Sequence, residues 1–126
     1  MVGRAVCERL GRVLGQTIVV DNIGGGGGVI ASQTTARAPA DGYTLMQGYV
    51  ATHGTAPATR KLPYDAVKDF TPVGMIGSTP NVLVVHPSLP VHNVRDLLTL
   101  ARAKPDQIAF GSGGNGTSTH LGGEIF

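Results

Sequence analysis

The stretch GSGGNGTSTH, residues 111–120, indicates the fold class more clearly than any other part of the chain. It follows a short apolar run at residues 107–110, which is typical of a β-strand. It precedes residues 121–126, which are typical of the beginning of a helix. A glycine-rich turn between a strand and a helix is a common connection in layered α/β folds. The sequence therefore predicts an α/β unit here, with a helix that begins near Thr117.

The same turn is a candidate binding site. The first amides of a helix have no partner within the helix, and the helix dipole adds about half a positive charge there. Both effects favour a carboxylate or a phosphate. Polar side chains at the same place are those of Asn115, Thr117, Ser118 and His120. The alternative is ordinary turn chemistry, in which Thr117 or Ser118 only caps the helix.

Further helices are predicted from the spacing of apolar residues. Between residues 2 and 14 these recur at steps of three and four, which is typical of an amphipathic helix, and Gly15 would end it. A second helix is expected at residues 29–37. Another is expected to begin at Val94 and to close at residues 104–105.

Short β-branched or apolar runs between these helices predict strands. They are residues 17–20, 43–47, 70–76, 82–85 and 107–110. Strands and helices that alternate along a chain predict an α/β fold with a largely parallel sheet. Ligands of such sheets bind at the carboxyl ends of the strands. Three polar or glycine-rich loops, residues 22–28, 48–55 and 111–119, are therefore expected to line one cleft.

Composition excludes several classes of protein. The chain has 126 residues, a suitable length for one domain, and its 41% hydrophobic residues are typical of a globular protein, although its 14% charged residues are fewer than the usual quarter or so. The net charge of +2, the scattered Lys and Arg residues and the lack of Trp argue against nucleic-acid binding. No apolar run approaches the roughly 18 residues of a membrane span.

The sequence also argues against metal and nucleotide binding. Cys7 is the only cysteine, and the four histidines have no spacing typical of a metal site, so no metal and no cofactor are expected. The glycine run at residues 24–28 does not match a dinucleotide fingerprint, because the position of its third glycine falls on Val29 or beyond. A phosphate-binding loop would need a Gly-Lys pair, which the chain lacks.

Catalytic motifs are weak. Ser112 lies in FGSGG, residues 110–114, which lacks the first glycine of a nucleophile elbow. His120 is near Ser112 in sequence, but no acid has a suitable spacing to orient it. The eight acidic residues are spread singly, so a pair for acid–base work is missing as well. The residues favour binding over catalysis, and a small α/β hydrolase that uses Ser112 and His120 remains the alternative.

A set of motifs runs along nearly the whole chain in a fixed order. They are LGQTIVVDN (14–22) with ADGYTL (40–45), KLPYD (61–65) with KDFTPV (68–73), PNVLVV (80–85) with PSLP (87–90), and GNGTSTHL (114–121). In these motifs the chain resembles the Bug-type solute receptors of tripartite tricarboxylate transporters. The five glycines at 24–28 depart from the family, which often carries Arg-Pro-Gly-Ala-Gly at that turn.

The resemblance implies a periplasmic-binding-protein-like fold of type II, in which two α/β lobes close on a small carboxylate. Residues 1–92 would form lobe one without its first strand, and residues 93–126 would form the start of lobe two. The chain is thus expected to be a fragment without a signal peptide, and the family implies a periplasmic location. A non-functional truncated product is a further alternative.

The resemblance also implies which residues bind the ligand. Thr52 and His53 would face the cleft from lobe one, and Ser78 and Thr79 would reach its edge. Backbone amides and hydroxyls of the second lobe would hold a carboxylate at Ser112, Asn115, Gly116, Thr117 and Ser118. No arginine is obviously placed to clamp it. The expected partners are a small carboxylate and the membrane components of a transporter, with no enzymatic activity, no nucleic acid and no direct membrane insertion.

Overall fold

The computed structural model describes residues 2–126, which form five α-helices and two shorter helical turns. In chain order these are α1 (Val2–Leu14), a 3₁₀ turn (Gly26–Gly28), α2 (Val29–Ala36), a π-helical turn (Val50–Thr55), α3 (Ala56–Thr59), α4 (Val94–Ala103) and α5 (Ser118–Ile125). No helix within residues 2–126 is long and apolar enough to cross a bilayer.

The predicted helix boundaries are confirmed where local chemistry sets them. α1 ends at Leu14, and Gly15 takes a left-handed conformation with φ of 64°. The Gln16 amide then donates to the Gly11 carbonyl over 3.1 Å, which is the Schellman pattern of a glycine-terminated helix. α2 and α4 also lie within one or two residues of their predicted positions.

Side-chain caps fix the beginnings of α4 and α5. The Asn93 side-chain oxygen accepts from the Asp96 amide at 3.0 Å, and the Thr117 hydroxyl accepts from the His120 amide at 3.3 Å. Each cap satisfies one of the amides that a helix start leaves without a partner. The cap at Thr117 confirms the predicted start of the last helix.

The predicted strands, and with them the α/β sheet, are not confirmed. Among residues 2–126 none of the five β-branched or apolar runs forms a β-strand or a backbone ladder. Their side chains lie open to solvent: Val19 is 86% exposed, Val73 86% and Val84 79%. A strand depends on hydrogen bonds to a neighbouring strand and on a layer that covers its apolar face. The strand propensity of a short run supplies neither the hydrogen bonds nor the covering layer.

The core is small and partly polar. Buried apolar side chains are those of Ala51, Ala56, Tyr64 and Leu97, and buried polar ones are those of Ser32, Thr52 and Thr117. The chain exposes 10057 Å² of surface. A compact monomer of its mass, 13.0 kDa, would expose about 6,300 Å². Most of the apolar surface is therefore open, and burial is concentrated around the segment from residue 51 to residue 64.

That segment contains a helical part which the sequence does not predict. The expectation for residues 51–55 is a polar loop, but Val50–Thr55 is a π-helical turn that continues into α3. Thr52 is completely buried there. Its hydroxyl accepts from the Tyr49 amide at 3.3 Å and lies 3.1 Å from the Tyr49 carbonyl oxygen and 2.8 Å from His53 Nδ1. These local contacts stabilise a turn that has no apolar periodicity.

Candidate functional site

Three loops of the chain meet at one place. The Tyr49 hydroxyl donates to the Gly27 carbonyl over 2.9 Å. The Arg60 guanidinium donates to the Gly26 carbonyl at 3.4 Å and to the Asn115 carbonyl at 3.5 Å. We call this group, Gly26, Gly27, Tyr49, Arg60 and Asn115, the loop junction. It joins the glycine run, the helical segment after residue 48 and the turn before α5.

Two glycines allow the close approach of these loops. Gly28 has φ of 91°, and a Cβ atom there would lie 2.7 Å from Cγ2 of the buried Thr52. Gly116 has φ of 80°, and its Cβ would lie 3.3 Å from Cγ2 of Thr55. Positive φ and the lack of space both favour glycine at these positions. The glycines therefore serve backbone packing between loops.

The beginning of α5 lies three residues beyond Asn115 and has amides available for an anion. The His120 amide is satisfied by the Thr117 hydroxyl. Within residues 2–126 the Ser118 and Thr119 amides donate no hydrogen bond. An N-terminal turn with two unsatisfied amides and the positive end of the helix dipole favours a carboxylate oxygen.

Part of the predicted loop is already engaged in its own hydrogen bonds. The Gly113 amide donates to the Thr119 hydroxyl at 3.0 Å, and the Gly116 amide faces His120 Nδ1 at 3.5 Å. The Thr117 hydroxyl donates to the Gly114 carbonyl at 2.7 Å, and Thr117 is only 9% exposed. These contacts hold the loop in shape. They leave the Ser118 and Thr119 amides available at the helix start, while the amides of Gly111, Ser112, Gly114 and Asn115 in the preceding turn also donate no hydrogen bond within residues 2–126.

Other predicted residues lie apart from these donors. Ser112 is exposed, and so are Ser78 and Thr79. The loop that contains Ser78 and Thr79 reaches α5 through Asn81 instead, whose side-chain oxygen accepts from the Ser118 hydroxyl at 3.1 Å.

Thr52 is buried and His53 is half-buried, so neither side chain is fully open to solvent. Thr52 is 0% exposed, and its carbonyl accepts from the Tyr64 hydroxyl at 2.8 Å. The His53 ring is half-buried and packs edge-on against Phe70, with ring centroids 4.7 Å apart. Tyr64 packs on Phe70 in the same way at 5.7 Å. Both residues thus contribute to the packing behind the loop junction.

Sequence reasoning missed three residues at the site: Tyr49, Arg60 and Asn81. Tyr49 belongs to the candidate loop at residues 48–55 and Asn81 to the motif at residues 80–85, so these two segments were the available signal. Arg60 follows α3 directly and belongs to no motif of its own. Only the folding of residues 49–60 brings its guanidinium to the Asn115 carbonyl, 55 positions further along the chain.

The geometry does not assemble a serine–histidine pair. His120 Nδ1 faces the Gly116 amide, and His120 Nε2 lies 3.7 Å from a Glu124 carboxylate oxygen. Within residues 2–126 the Ser112 hydroxyl makes no hydrogen bond to either ring nitrogen. Amides, hydroxyls and one guanidinium are all groups that can donate hydrogen bonds to a small anion.

The chain belongs to the tripartite tricarboxylate transporter receptor family. The family model described as "Tripartite tricarboxylate transporter family receptor" matches residues 2–126. This match confirms the resemblance to Bug-type receptors. It also implies a fold similar to that of the periplasmic binding proteins.

Individual relatives agree with this assignment. Protein BugT of Bordetella pertussis is 35% identical over 132 aligned residues, which cover 100% of this chain and 39% of BugT. A UPF0065 protein from the tcbD-tcbE intergenic region of a Pseudomonas species is 37% identical over 95% of this chain and 36% of its own length. A UPF0065 protein of Bordetella bronchiseptica is 38% identical over 96% of this chain and 36% of its own length. The chain thus spans well under half the length of these relatives. No solved structure matches it significantly.

Proposed function

We propose that this chain takes part in the extracytoplasmic capture of a small carboxylate for a tripartite transporter, without catalysis. The observation that carries the proposal is the pair of unsatisfied amides at Ser118 and Thr119, next to the loop junction. Membership of a transporter receptor family supports it. A periplasmic location, transporter membrane components as partners and a type II binding-protein fold are parts of the same proposal.

The ligand carboxylate would lie at the beginning of α5. Its oxygens would accept from the Ser118 and Thr119 amides, in line with the helix dipole. The Ser118 hydroxyl, which donates its one hydrogen to the Asn81 side-chain oxygen, would hold the loop of residues 77–81 beside the ligand. Ordered water could complete the contacts. Residues 1–92 and 93–126 would then contribute as two lobes around one ligand.

The remaining predicted residues receive supporting roles in this proposal. Asn115, Gly116 and Thr117 hold the turn in the shape that leaves the Ser118 and Thr119 amides available. Thr52 and His53 pack behind the loop junction. Ser78, Thr79 and Ser112 are exposed and would contact only the outer part of a ligand.

Replacement of Ser118 by proline tests the amide directly. Ser118 is the first helical residue, where proline is tolerated, and Thr117 already has the extended conformation (φ −72°, ψ 160°) that a following proline requires. Ser118→Pro removes one donor to a charged acceptor and should weaken carboxylate binding about tenfold or more in titration calorimetry.

Two variants serve as controls. Val94→Pro makes the same change at the first residue of α4, where Asn93 is also extended, and should leave the affinity unchanged. Ser118→Ala removes only the hydroxyl, so its difference from Ser118→Pro isolates the amide. If the unaltered chain bound no member of a panel of mono-, di- and tricarboxylates, the proposed function would be wrong. Equal affinity of Ser118→Pro and the unaltered chain would refute the site.

A further inference from the structure

The peptide bond between Asn115 and Gly116 has polar contacts at both of its ends. The Arg60 guanidinium donates to the Asn115 carbonyl at 3.5 Å, and the Gly116 amide donates to His120 Nδ1 at 3.5 Å. Because an amide N–H only donates, Nδ1 is the ring nitrogen without a hydrogen, and Nε2 carries it. Nε2 lies 3.7 Å from a Glu124 carboxylate oxygen, which favours the same tautomer. One peptide group therefore has a cation at its oxygen and a basic nitrogen at its hydrogen.

An asparagine side chain can react with the peptide nitrogen that follows it. The nitrogen attacks the side-chain amide carbon and closes a five-membered succinimide ring, and a β-branched residue at the next position crowds this approach. The chain has four asparagines: Asn22 precedes isoleucine, while Asn81 and Asn93 each precede valine. Asn115 precedes glycine, which has no side chain to obstruct the attack.

The two reacting groups differ in how firmly they are held. The Asn115 side chain is exposed and makes no hydrogen bond to residues 2–126, so it can turn toward the next nitrogen, and water reaches it. Gly116 is half-buried, with φ of 80° and its amide directed at His120. The attacking nitrogen is thus fixed beside its base while the carbon that it attacks is mobile.

The contacts of the peptide group assist the attack. A backbone amide is a poor nucleophile until its hydrogen is removed, and His120 Nδ1 lies where it can accept that hydrogen. The negative charge that then develops is shared with the Asn115 carbonyl oxygen, where the Arg60 guanidinium stabilises it.

We propose that Asn115 and Gly116 form a self-modification site, at which the chain converts Asn115 to aspartate or isoaspartate. His120 takes the Gly116 amide hydrogen as the nitrogen bonds to the side-chain carbon of Asn115. The bond from that carbon to its NH₂ group breaks, and ammonia leaves with the hydrogen that His120 returns. Water then adds to either carbonyl carbon of the ring, the ring C–N bond breaks, and the proton of the new acid goes to ammonia. No atom changes its oxidation state.

The product carboxylate lies in surroundings that favour a negative charge. The Arg60 guanidinium contacts residue 115, which is two residues before Thr117, the cap of α5. A cation and the positive end of a helix dipole both stabilise an anion. Isoaspartate also adds one carbon to the main chain, so it changes the turn before α5. The inference does not depend on the proposed function.

The test follows the intact chain by peptide mass spectrometry during incubation at one pH and temperature, with and without urea. Conversion adds one dalton at residue 115, and chromatography separates isoaspartate from aspartate. In the folded chain residue 115 should convert before Asn22, Asn81 and Asn93. It should also convert about tenfold or more faster than in urea, which separates the base and the cation from the peptide group.

Two variants test the assisting groups. His120→Ala should slow conversion of the folded chain about tenfold or more, and Arg60→Gln should slow it less, because the guanidinium only stabilises charge. The matched controls are His86→Ala and Arg37→Gln, which change an exposed histidine and an exposed arginine elsewhere and should leave the rate unchanged. In urea all variants should convert at the rate of the unaltered chain. Circular dichroism shows which of them are folded.

Added imidazole distinguishes a lost base from a loosened turn. It should restore part of the rate in folded His120→Ala, and a failure to do so would refute the role of the ring as a base. An unchanged rate in that folded variant would overturn the proposal. If the variant does not fold, the unaltered chain decides: residue 115 that converts no faster in the folded chain than in urea would overturn the proposal by itself.

Discussion

Two regions of the molecule contrast in how their residues are used. α1 has a clear apolar face, yet none of its residues is buried, and Val13 is 82% exposed. The segment from Tyr49 to Tyr64 has no comparable periodicity, yet it contains three of the four buried apolar residues found among residues 2–126, as well as the buried Thr52. Amphipathicity thus indicates a helix, but it does not determine whether that helix is covered.

The difference arises from hydrogen bonds between distant segments. Tyr49 and Arg60 bond to carbonyls in other loops, and Tyr64 bonds to the buried carbonyl of Thr52. Among the described residues, α1 has only local contacts of this kind, such as the Arg12–Glu8 pair within its own helix. Exposed pairs of that type contribute little to stability. If stability is concentrated in the segment around the loop junction, substitutions there should lower the free energy of unfolding more than substitutions in α1.

The largest effect is expected from Gly28→Ala. Its left-handed φ costs about 1–2 kcal/mol for a residue with a Cβ atom, and the contact with Thr52 adds about 1–3 kcal/mol. Gly42→Ala is the matched control, because Gly42 also has positive φ (84°) but no neighbour within 4 Å among residues 2–126. Denaturant unfolding should show a clearly larger loss for Gly28→Ala. Equal losses would mean that the approach of Gly28 to Thr52 contributes nothing.

Tyr64→Phe should have the next largest effect. It removes the 2.8 Å hydrogen bond to the Thr52 carbonyl and leaves a buried acceptor without its partner, a loss of about 1–3 kcal/mol in the free energy of unfolding. Tyr43→Phe makes the same change at a residue that is 91% exposed, where we expect less than about 0.5 kcal/mol. The comparison is measured by thermal or denaturant unfolding. If Tyr64→Phe left the free energy of unfolding unchanged, stability would not be concentrated in this segment.

The smallest effect is expected in α1. Val13→Ala should leave the free energy of unfolding within about 0.5 kcal/mol, or raise it slightly, because the side chain is exposed and Ala favours the helix. The control is Leu97→Ala in α4, where the side chain is only 7% exposed and truncation should cost about 2 kcal/mol or more. A large loss at Val13 would show that α1 is covered in solution and would remove the contrast between the regions.

The sequence by itself determined the features that short-range chemistry controls. Gly15 ends α1, Thr117 begins α5, and the asparagine at residue 93 caps α4, because each depends on groups within a few residues along the chain. The ordered motifs determined the family for the same reason, since they are properties of the chain itself.

The tertiary structure decided what depends on distant partners. The β-branched runs at residues 17–20 and 82–85 have strand propensity, but the described residues supply them with no ladder, because pairing is a property of two segments and not of one. The place of Arg60 beside Asn115 depends likewise on how residues 49–60 fold. Contacts between segments that are far apart in the sequence, rather than any local pattern, thus determine where the candidate site lies. They also place the Arg60 guanidinium beside it.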